Sequence, residues 1–250
     1  MGKKDGITPS KITIKIWKPV IEKLDTRMNE ACLRRDLYLA RLLDSEVRHL
    51  DSEVALANSQ AAYDHVVEQL ERLDRKPMSL ALPPDLVERI NDVCRRKRIV
   101  RDTFFNRLFL LLAATPKALD AILFPHYDGD WKLDVWREYR DDPETVKMSI
   151  LPLASVTDPF WAIREAFEID RQGIDLHDWT DPQSGKKIKM MSMPPDHYML
   201  PENVYTKYLS TKIGDNELTG LNCHVPDWLV PEHPANRQRN NALDAIFEEL

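Results

Sequence analysis

The chain has 250 residues, of which 43% are hydrophobic and 30% charged, and this composition is typical of a folded globular protein. No apolar run approaches the roughly 18 residues of a membrane-spanning helix, so we expect no membrane association. Three widely spaced cysteines argue against a disulfide framework and indicate a reduced, cytoplasmic environment. Residues 1–6 are charged and precede no apolar segment, so no secretory signal is expected.

The net charge of −6 conceals a difference between two parts of the chain. Residues 1–113 hold 21 Lys and Arg against 17 Asp and Glu, whereas residues 114–250 hold 14 against 24. The first part is therefore basic and the second acidic. The sequence predicts two regions that meet near residue 113, and only the first has a charge balance suited to nucleic acid.

An internal repeat occupies most of the first region. When the sequence is shifted by 66 residues, residues 12–43 align with residues 78–109 without a gap, and the apolar positions coincide. This agreement in one register indicates two copies of one structural unit. The identical pairs are Glu22/Glu88, Arg35/Arg101, Asp36/Asp102, Arg41/Arg107 and Leu42/Leu108.

Each copy begins with alternating polar and apolar residues, the pattern of a strand with one buried face. These strands are predicted at residues 11–16 and 78–82. A proline near the strand end and apolar residues at helical spacing then predict a first helix. Asp36 and Asp102 are the predicted N-caps of a second helix in each copy.

The remaining segments are predicted more coarsely. Residues 44–76 connect the copies and read as helical, with a break and a new N-cap at Asn58–Ser59. This connector is long enough to place the second strand beside the first. Beyond residue 113 the sequence predicts a folded, irregular α+β region. Its predicted elements are helices near 130–140, 159–171 and 243–250 and a strand at 188–193.

The order strand, helix, turn, helix, with proline at the strand–helix junction, resembles the ribbon-helix-helix (MetJ/Arc-type) family of DNA-binding proteins. The resemblance covers residues 10–47 and 76–113, about a third of the chain. In that family two copies, normally from two chains, pair their strands into an antiparallel ribbon that enters the major groove. The resemblance implies a mainly α fold with a two-stranded ribbon, in which residues 10–113 form a single-chain pseudo-dimer followed by the α+β region 114–250.

The sequence departs from the family in the turn between the two helices, where the family often has glycine. No glycine occurs between Gly6 and Gly129, and the turns fall at residues 32–35 and 98–101.

The resemblance also implies that the outward side chains of the ribbon contact the edges of the bases. The first strand offers Lys11, Thr13 and Lys15, which can donate hydrogen bonds to bases and phosphates. The second strand offers Pro77, Ser79 and Ala81, of which only Ser79 has a side chain that can donate. We therefore expect an asymmetric DNA site or cooperative binding by two molecules. The alternative is an ordinary solvent-facing edge strand, on which lysine prevents aggregation.

Basic residues around the helix turns are the predicted phosphate contacts. They are Arg34, Arg35, Arg95, Arg96, Lys97, Arg98 and Arg101. The run from Arg95 can equally be a solvated helix C-terminus that stabilises the helix dipole. Arg35 and Arg101 can equally be structural, each folded back on the aspartate that follows it.

No catalytic residue, metal site or cofactor is predicted. The His and Cys residues that invite a metal interpretation lack a metal-ligand spacing, and the paired acids read as solvated loops. Glycine-rich phosphate loops and nucleophile elbows are absent. The residues considered were His197, Cys223, His224 and His233, and the acids Asp128, Asp130, Asp141 and Asp142.

The sequence thus predicts a non-enzymatic protein that binds double-stranded DNA, acting in transcription regulation or in maintenance of a mobile element. Residues 114–250, an acidic region rich in Pro and Trp, would bind a protein partner, mediate self-association or sense a signal. The alternative is a protein-interaction scaffold that keeps this architecture without reading DNA. The two hypotheses differ in whether the Lys11/Lys15 face and the 95–101 run lie on the same side of the molecule.

Overall fold

The computed structural model describes residues 9–124, 158–160, 163–164, 167, 175–180, 187–192 and 202–238. The helices predicted near 130–140 and 243–250 lie outside these residues. Within the described ranges the fold is mainly helical with a two-stranded antiparallel ribbon, as predicted. No helix there is both long and apolar enough to cross a bilayer.

Two strand–helix–helix units follow each other along the chain. The first consists of β1 (Ser10–Trp17), α1 (Lys18–Glu30) and α2 (Arg35–Glu53). A connecting helix, α3 (Gln60–Glu71), leads to the second unit. This unit consists of β2 (Arg75–Leu82), α4 (Pro84–Lys97) and α5 (Arg101–Ala113).

The connector differs from the prediction at its end. The predicted break is confirmed, because the Ser59 hydroxyl caps α3 by accepting a hydrogen bond from the Ala62 N–H at 3.1 Å. The helix does not continue to Lys76, however, since α3 stops at Glu71 and β2 begins at Arg75. These residues instead complete the ladder: Arg75 pairs with Trp17 and Lys76 with Ile16.

The register of the ribbon follows the sequence repeat. β1 and β2 are antiparallel with Thr13 opposite Ser79, and these two residues are also equivalent under the 66-residue shift. An approximate two-fold axis therefore passes through this pair. The inward face is apolar and buried at Ile12, Ile14 and Ile16 of β1 and at Met78, Leu80 and Leu82 of β2, which fixes the register because a one-residue slip would expose these side chains.

Each second helix is bonded to the strand of the other copy. The Lys15 N–H donates to Asp102 Oδ2 and the Ala81 N–H donates to Asp36 Oδ2, both at 3.2 Å. The predicted N-cap role of these aspartates is wrong. They lie in the first turn, because the helices begin one residue earlier and the residues before them make no side-chain cap.

The turns between helices have the conformation that glycine usually supplies. Cys32 and Arg98, equivalent under the repeat, have φ of 54° and 48°. The N–H groups of Leu33 and Ile99 donate to the carbonyls of Met28 and Cys94 at 2.9 and 2.8 Å and close each helix end. A residue with a Cβ costs about 1 kcal/mol in this conformation, so both turns are strained without glycine.

One continuous hydrophobic core joins the repeats to the C-terminal region. Every residue of α5 from Thr103 onward is buried, because residues between 204 and 223 pack against this helix. A 3₁₀ turn (Leu218–Leu221) passes so close to α3 that a Cβ at Gly220 would lie 2.6 Å from the Leu70 nitrogen.

The other described elements of this region are small. They are α6 (Pro116–Leu123), β3 (Asp175–Thr180), β4 (Lys187–Ser192), β5 (Lys212–Ile213), β6 (Asn216–Glu217) and a 3₁₀ turn (Asp227–Leu229). β3 and β4 form an antiparallel hairpin, which confirms the strand predicted at 188–193 to within one residue.

Candidate nucleic-acid interface

The outward face of the ribbon carries all four predicted base-contacting residues. Lys11, Thr13, Lys15 and Ser79 are exposed, and alternation along the strands places them on the face opposite the core. Thr13 and Ser79 lie side by side at the two-fold axis. The fold therefore presents these polar side chains together on one solvent-facing ribbon.

The ribbon is positively charged on an acidic protein. Its two strands contain four cationic residues and no Asp or Glu, whereas the chain as a whole carries −6. Among the described residues, no carboxylate lies within ion-pair distance of Lys11 or Lys15, and Arg75 is 3.7 Å from Asp102. Such a face attracts polyanions.

Both lysines on the outward face of the ribbon lie on β1. The approximate two-fold axis relates Lys11 to Pro77 and Lys15 to Ala81, and neither Pro77 nor Ala81 is charged. Each lysine therefore has no counterpart on β2.

Two of the predicted phosphate contacts are bound to the ribbon backbone. Arg35 Nη2 donates to the Ser79 carbonyl at 3.3 Å, and Arg101 Nη2 donates to the Thr13 carbonyl at 3.1 Å. Arg35 Nε also donates to Asp36 Oδ1 at 3.2 Å. These contacts favour the structural interpretation of both arginines, in which they hold the centre of the ribbon from its two edges.

The basic run on α4 is compensated by nearby carboxylates. Arg95 Nη2 and Arg96 Nε donate to Asp92 at 2.7 and 2.8 Å. Arg96 also lies 3.1 Å from Asp51, and Lys97 lies 3.5 Å from the same carboxylate. The hydrogen bond from Arg96 is the main cause that lowers the pKa of both aspartates. The run is therefore closer to neutral than its sequence suggests.

The run is also separated from the part of α2 that contacts the ribbon. Asp51, which pairs with it, lies 15 residues beyond Asp36, or about 22 Å along the α2 axis. Arg98 is turned toward Asn58, whose carbonyl accepts from Arg98 Nη1 at 3.2 Å. Arg34 precedes α2, is exposed and has no ion pair among the described residues. The fold thus brings Arg35 and Arg101, but not Arg95–Lys97, to the ribbon.

Sequence reasoning missed a buried ionic cluster between α2 and the C-terminal region. Glu46 is fully buried, and its Oε2 accepts from Arg164 Nη2 at 2.9 Å and from the Tyr205 hydroxyl. Arg164 also donates to Glu53 at 3.0 Å and to Asp158 at 2.5 Å. Burial raises the pKa of Glu46, whereas Arg164 and Tyr205 lower it in part. The arrangement fastens the C-terminal region to the first repeat.

A second missed residue is Arg107, which is fully buried in α5. Its guanidinium donates to the carbonyls of Val204 at 2.6 Å, Lys207 at 2.8 Å and Leu221 at 3.4 Å. Asn222 Oδ1 is a further acceptor at 3.4 Å. Its signals in the sequence were its identity with Arg41 under the 66-residue shift and its position within an apolar segment.

In the part of the chain that the structure describes, the cysteine and histidines considered above form neither a catalytic nor a metal-binding arrangement. Burial raises the pKa of the Cys223 thiol to about 12, so it is protonated at neutral pH. His233 lies 3.2 Å from Asp227, and no described cluster of His, Cys, Asp and Glu has the arrangement of a metal site. His197 and the acids at 128, 130, 141 and 142 lie outside the described residues.

Comparisons with known proteins identified no relative of this chain. No family model, no curated protein and no solved structure matches it.

Proposed function

We propose that the protein binds double-stranded DNA as a single-chain pseudo-dimer of the ribbon-helix-helix type, with the β1–β2 ribbon in the major groove. The main support is the exposed face of the ribbon, which is cationic and contains no acidic residue. The Thr13/Ser79 pair lies at its centre. An antiparallel ribbon of two strands fits the width of this groove. A role in transcription regulation or in maintenance of a mobile element follows from the same resemblance.

The chemistry of the ribbon suits base and phosphate recognition. Lys11 and Lys15 can donate to guanine O6 and N7 or to phosphate oxygens, and the hydroxyls of Thr13 and Ser79 can donate or accept. Arg35 and Arg101 act as positioning residues, because their contacts with the strand carbonyls keep the ribbon in place.

Phosphate contacts are fewer in this proposal than the basic sequence suggests. Arg34 is available beside the ribbon, since it is exposed at the start of α2. Arg95, Arg96 and Lys97 contribute to the long-range potential, and their aspartate partners weaken that contribution.

The test is fluorescence anisotropy with a labelled fragment from upstream of the protein's own gene and a scrambled fragment of equal length. Between about 50 and 200 mM salt, we expect affinity to fall steeply and to favour the first fragment. The double variant Lys11→Ala/Lys15→Ala should lower affinity at least about tenfold, since each base-contacting residue contributes about 1–3 kcal/mol.

A matched control removes the same charge elsewhere. Lys23→Ala/Lys117→Ala changes two exposed lysines on α1 and α6, outside the ribbon, and should leave affinity nearly unchanged. Equal losses in the two double variants would indicate nonspecific charge attraction. Absence of binding by the wild type at the lowest salt would refute the proposal.

The second candidate function is a protein-interaction scaffold. The ion pairs of Arg95–Lys97 with Asp92 and Asp51 favour it, because a phosphate-binding surface gains from unpaired cations. In the same experiment a scaffold would bind neither fragment at any salt concentration.

A further inference from the structure

The outward face of the ribbon differs in chemistry between its two strands. The exposed outward residues of β1 are Lys11, Thr13 and Lys15. Those of β2 are Pro77, Ser79 and Ala81, of which only Ser79 has a side chain that can donate a hydrogen bond. The strands therefore match at their centre, where both carry a hydroxyl, and differ on either side of it, where only β1 carries a cation.

The two cations of β2 do not restore the symmetry of this face. The Arg75 side chain is only 14% exposed, and its Nη1 lies 3.7 Å from Asp102 Oδ2. Lys76 is exposed, but it pairs with the buried Ile16, so alternation along the strand directs it away from the outward face. Neither residue therefore takes the place of a lysine on the outward side of β2.

The backbone of β1 is also held at Lys15 by a side chain that β2 lacks. Asn106 Nδ2 donates to the Lys15 carbonyl at 2.8 Å, and Asn106 Oδ1 accepts from the Trp17 N–H at 2.7 Å. Asn106 is fully buried, and its equivalent under the 66-residue shift is Ala40, whose side chain makes no hydrogen bond. The strand that carries both lysines is thus fixed before DNA is bound, which lowers the entropic cost of a directed contact.

We infer that the ribbon reads guanines on one DNA strand only, so that its target site is not a palindrome. This inference rests on the proposed function. The two strands of a ribbon lie about 5 Å apart, and the major groove is about 12 Å wide. When the ribbon lies along the groove, β1 is therefore nearer one DNA strand and β2 nearer the other. Lysine recognises the O6 and N7 acceptors of guanine, whereas proline and alanine make only apolar contacts with base edges.

The spacing of the lysines sets the spacing of the guanines. Lys15 follows Lys11 by four positions, which corresponds to about 13 Å along an extended strand. Successive bases of one DNA strand rise by about 3.4 Å along the helix axis, to which the groove is inclined. We therefore expect two guanines on the same DNA strand, about three to four base steps apart, with the Thr13/Ser79 pair above the base pairs between them.

A palindromic site suits this ribbon less well. The approximate two-fold axis places Pro77 and Ala81 where a symmetric ribbon would carry a second pair of lysines. On a palindrome, the guanines of the second DNA strand would lose water on binding and receive no hydrogen bond from these two residues. The chain therefore binds in one orientation, with β1 beside the strand that contains the guanines, and one molecule suffices for one site.

The experiment is a selection of sequences from a random duplex library by the full chain, followed by anisotropy titrations with the selected site. The selected sequences should contain the two guanines on one strand and lack two-fold symmetry. 7-Deazaguanine, which lacks the N7 acceptor, should lower affinity about tenfold when it replaces both guanines. The same replacement of guanines on the opposite strand is the control and should change affinity by less than about twofold.

Single variants connect each lysine with one base. In a repeated selection, Lys11→Ala and Lys15→Ala should each lose the preference for one of the two guanines and keep the preference for the other. Lys23→Ala removes the same charge from an exposed position on α1, outside the ribbon, and should return the wild-type sequences.

Any of three results overturns the inference while the proposed function stands. They are binding that enriches no sequence, a palindromic selected site, and equal losses of affinity when 7-deazaguanine is placed in either strand. Equal losses are expected if the lysines contact phosphates instead of bases. Absence of binding to every duplex at about 50 mM salt would instead refute the proposed function, and this inference with it.

Discussion

The two repeats share a backbone and differ in what they present to their surroundings. Arg35 and Arg101 bind equivalent strand carbonyls, and Asp36 and Asp102 accept from equivalent strand amides. These identical residues hold the ribbon together. The first repeat keeps Leu37 and Arg41 of its second helix exposed and carries Lys11 and Lys15 on its strand, whereas the second helix of the second repeat is buried from Thr103 onward.

The comparison shows that sequence identity between the copies does not imply an identical role. Arg41 and Arg107 are the same residue at the same repeat position, yet one is exposed and the other fully buried. The C-terminal region decides the difference, since its carbonyls surround only Arg107. Substituting both members of an equivalent pair therefore distinguishes residues that the repeat itself needs from residues that are needed for contact with the C-terminal region.

The largest effect is expected for Arg107→Ala. The substitution removes a buried guanidinium and leaves carbonyls of Val204 and Lys207 without their donor, at a cost of about 3–5 kcal/mol in the free energy of unfolding. Arg41→Ala should change it by less than about 0.5 kcal/mol, because surface substitutions rarely do more. Urea unfolding followed by tryptophan fluorescence measures both, and equal losses would contradict the asymmetry.

The next effect concerns the ribbon and assumes that the protein binds DNA. Ala81→Lys places a lysine at the position equivalent to Lys15 and makes the two strands more alike. We expect affinity to rise about tenfold and the slope of log affinity against log salt to steepen by about 0.9 if one phosphate contact is gained. Anisotropy titrations measure both quantities. Leu56→Lys adds the same charge at an exposed position outside the ribbon. An equal gain in affinity for that variant would contradict a specific role for β2.

The third prediction concerns pH and Glu46, whose counterpart in the second repeat is Leu112. Burial raises the pKa of Glu46, so the folded chain holds the proton more tightly than the unfolded chain. The stabilisation from this group is complete below about pH 4.3, the usual value for glutamate, and is lost as pH rises through the folded-state pKa.

Glu46→Gln cannot titrate and should lack this contribution. The unfolding free energy of wild type relative to the variant should therefore decrease from about pH 4 toward neutrality. Urea titrations at a series of pH values measure the difference, and a difference that grows with pH would show that the ion pair with Arg164 outweighs burial.

The smallest effect is expected in the helix turns. Cys32→Gly relieves the left-handed backbone at an exposed position and should stabilise the chain by about 0.5–1 kcal/mol. Arg98→Gly relieves the same strain but loses the contact with the Asn58 carbonyl, so its gain should be smaller or absent. Thermal unfolding of the two variants distinguishes them, and an equal gain would mean that the Arg98 side chain contributes nothing.

The repeat made the ribbon predictable from sequence, because alternation along the strands and helical spacing are local patterns. The strands at 11–16 and 78–82, the cap at Ser59 and the exposure of Lys11, Thr13 and Lys15 follow from such patterns. Asp36 and Asp102 resemble N-caps locally, and only the neighbouring strand reveals their actual hydrogen bonds.

The buried polar residues were not predictable for a related reason. Glu46 meets Arg164 and Tyr205 across more than a hundred residues of chain, and Arg107 meets carbonyls near residues 204–221. Periodicity carries no information on contacts of this kind. The Arg95–Lys97 run was ambiguous because one of its partners, Asp51, lies on a different helix.

The connecting helix α3 has a consequence for how the ribbon persists at low concentration. When two separate chains each supply one strand, dilution separates the strands, and the folded state is lost by mass action. Here β1 and β2 belong to one chain, and the segment between them keeps each at a high effective concentration for the other. One newly made molecule therefore has a complete ribbon without waiting to meet another.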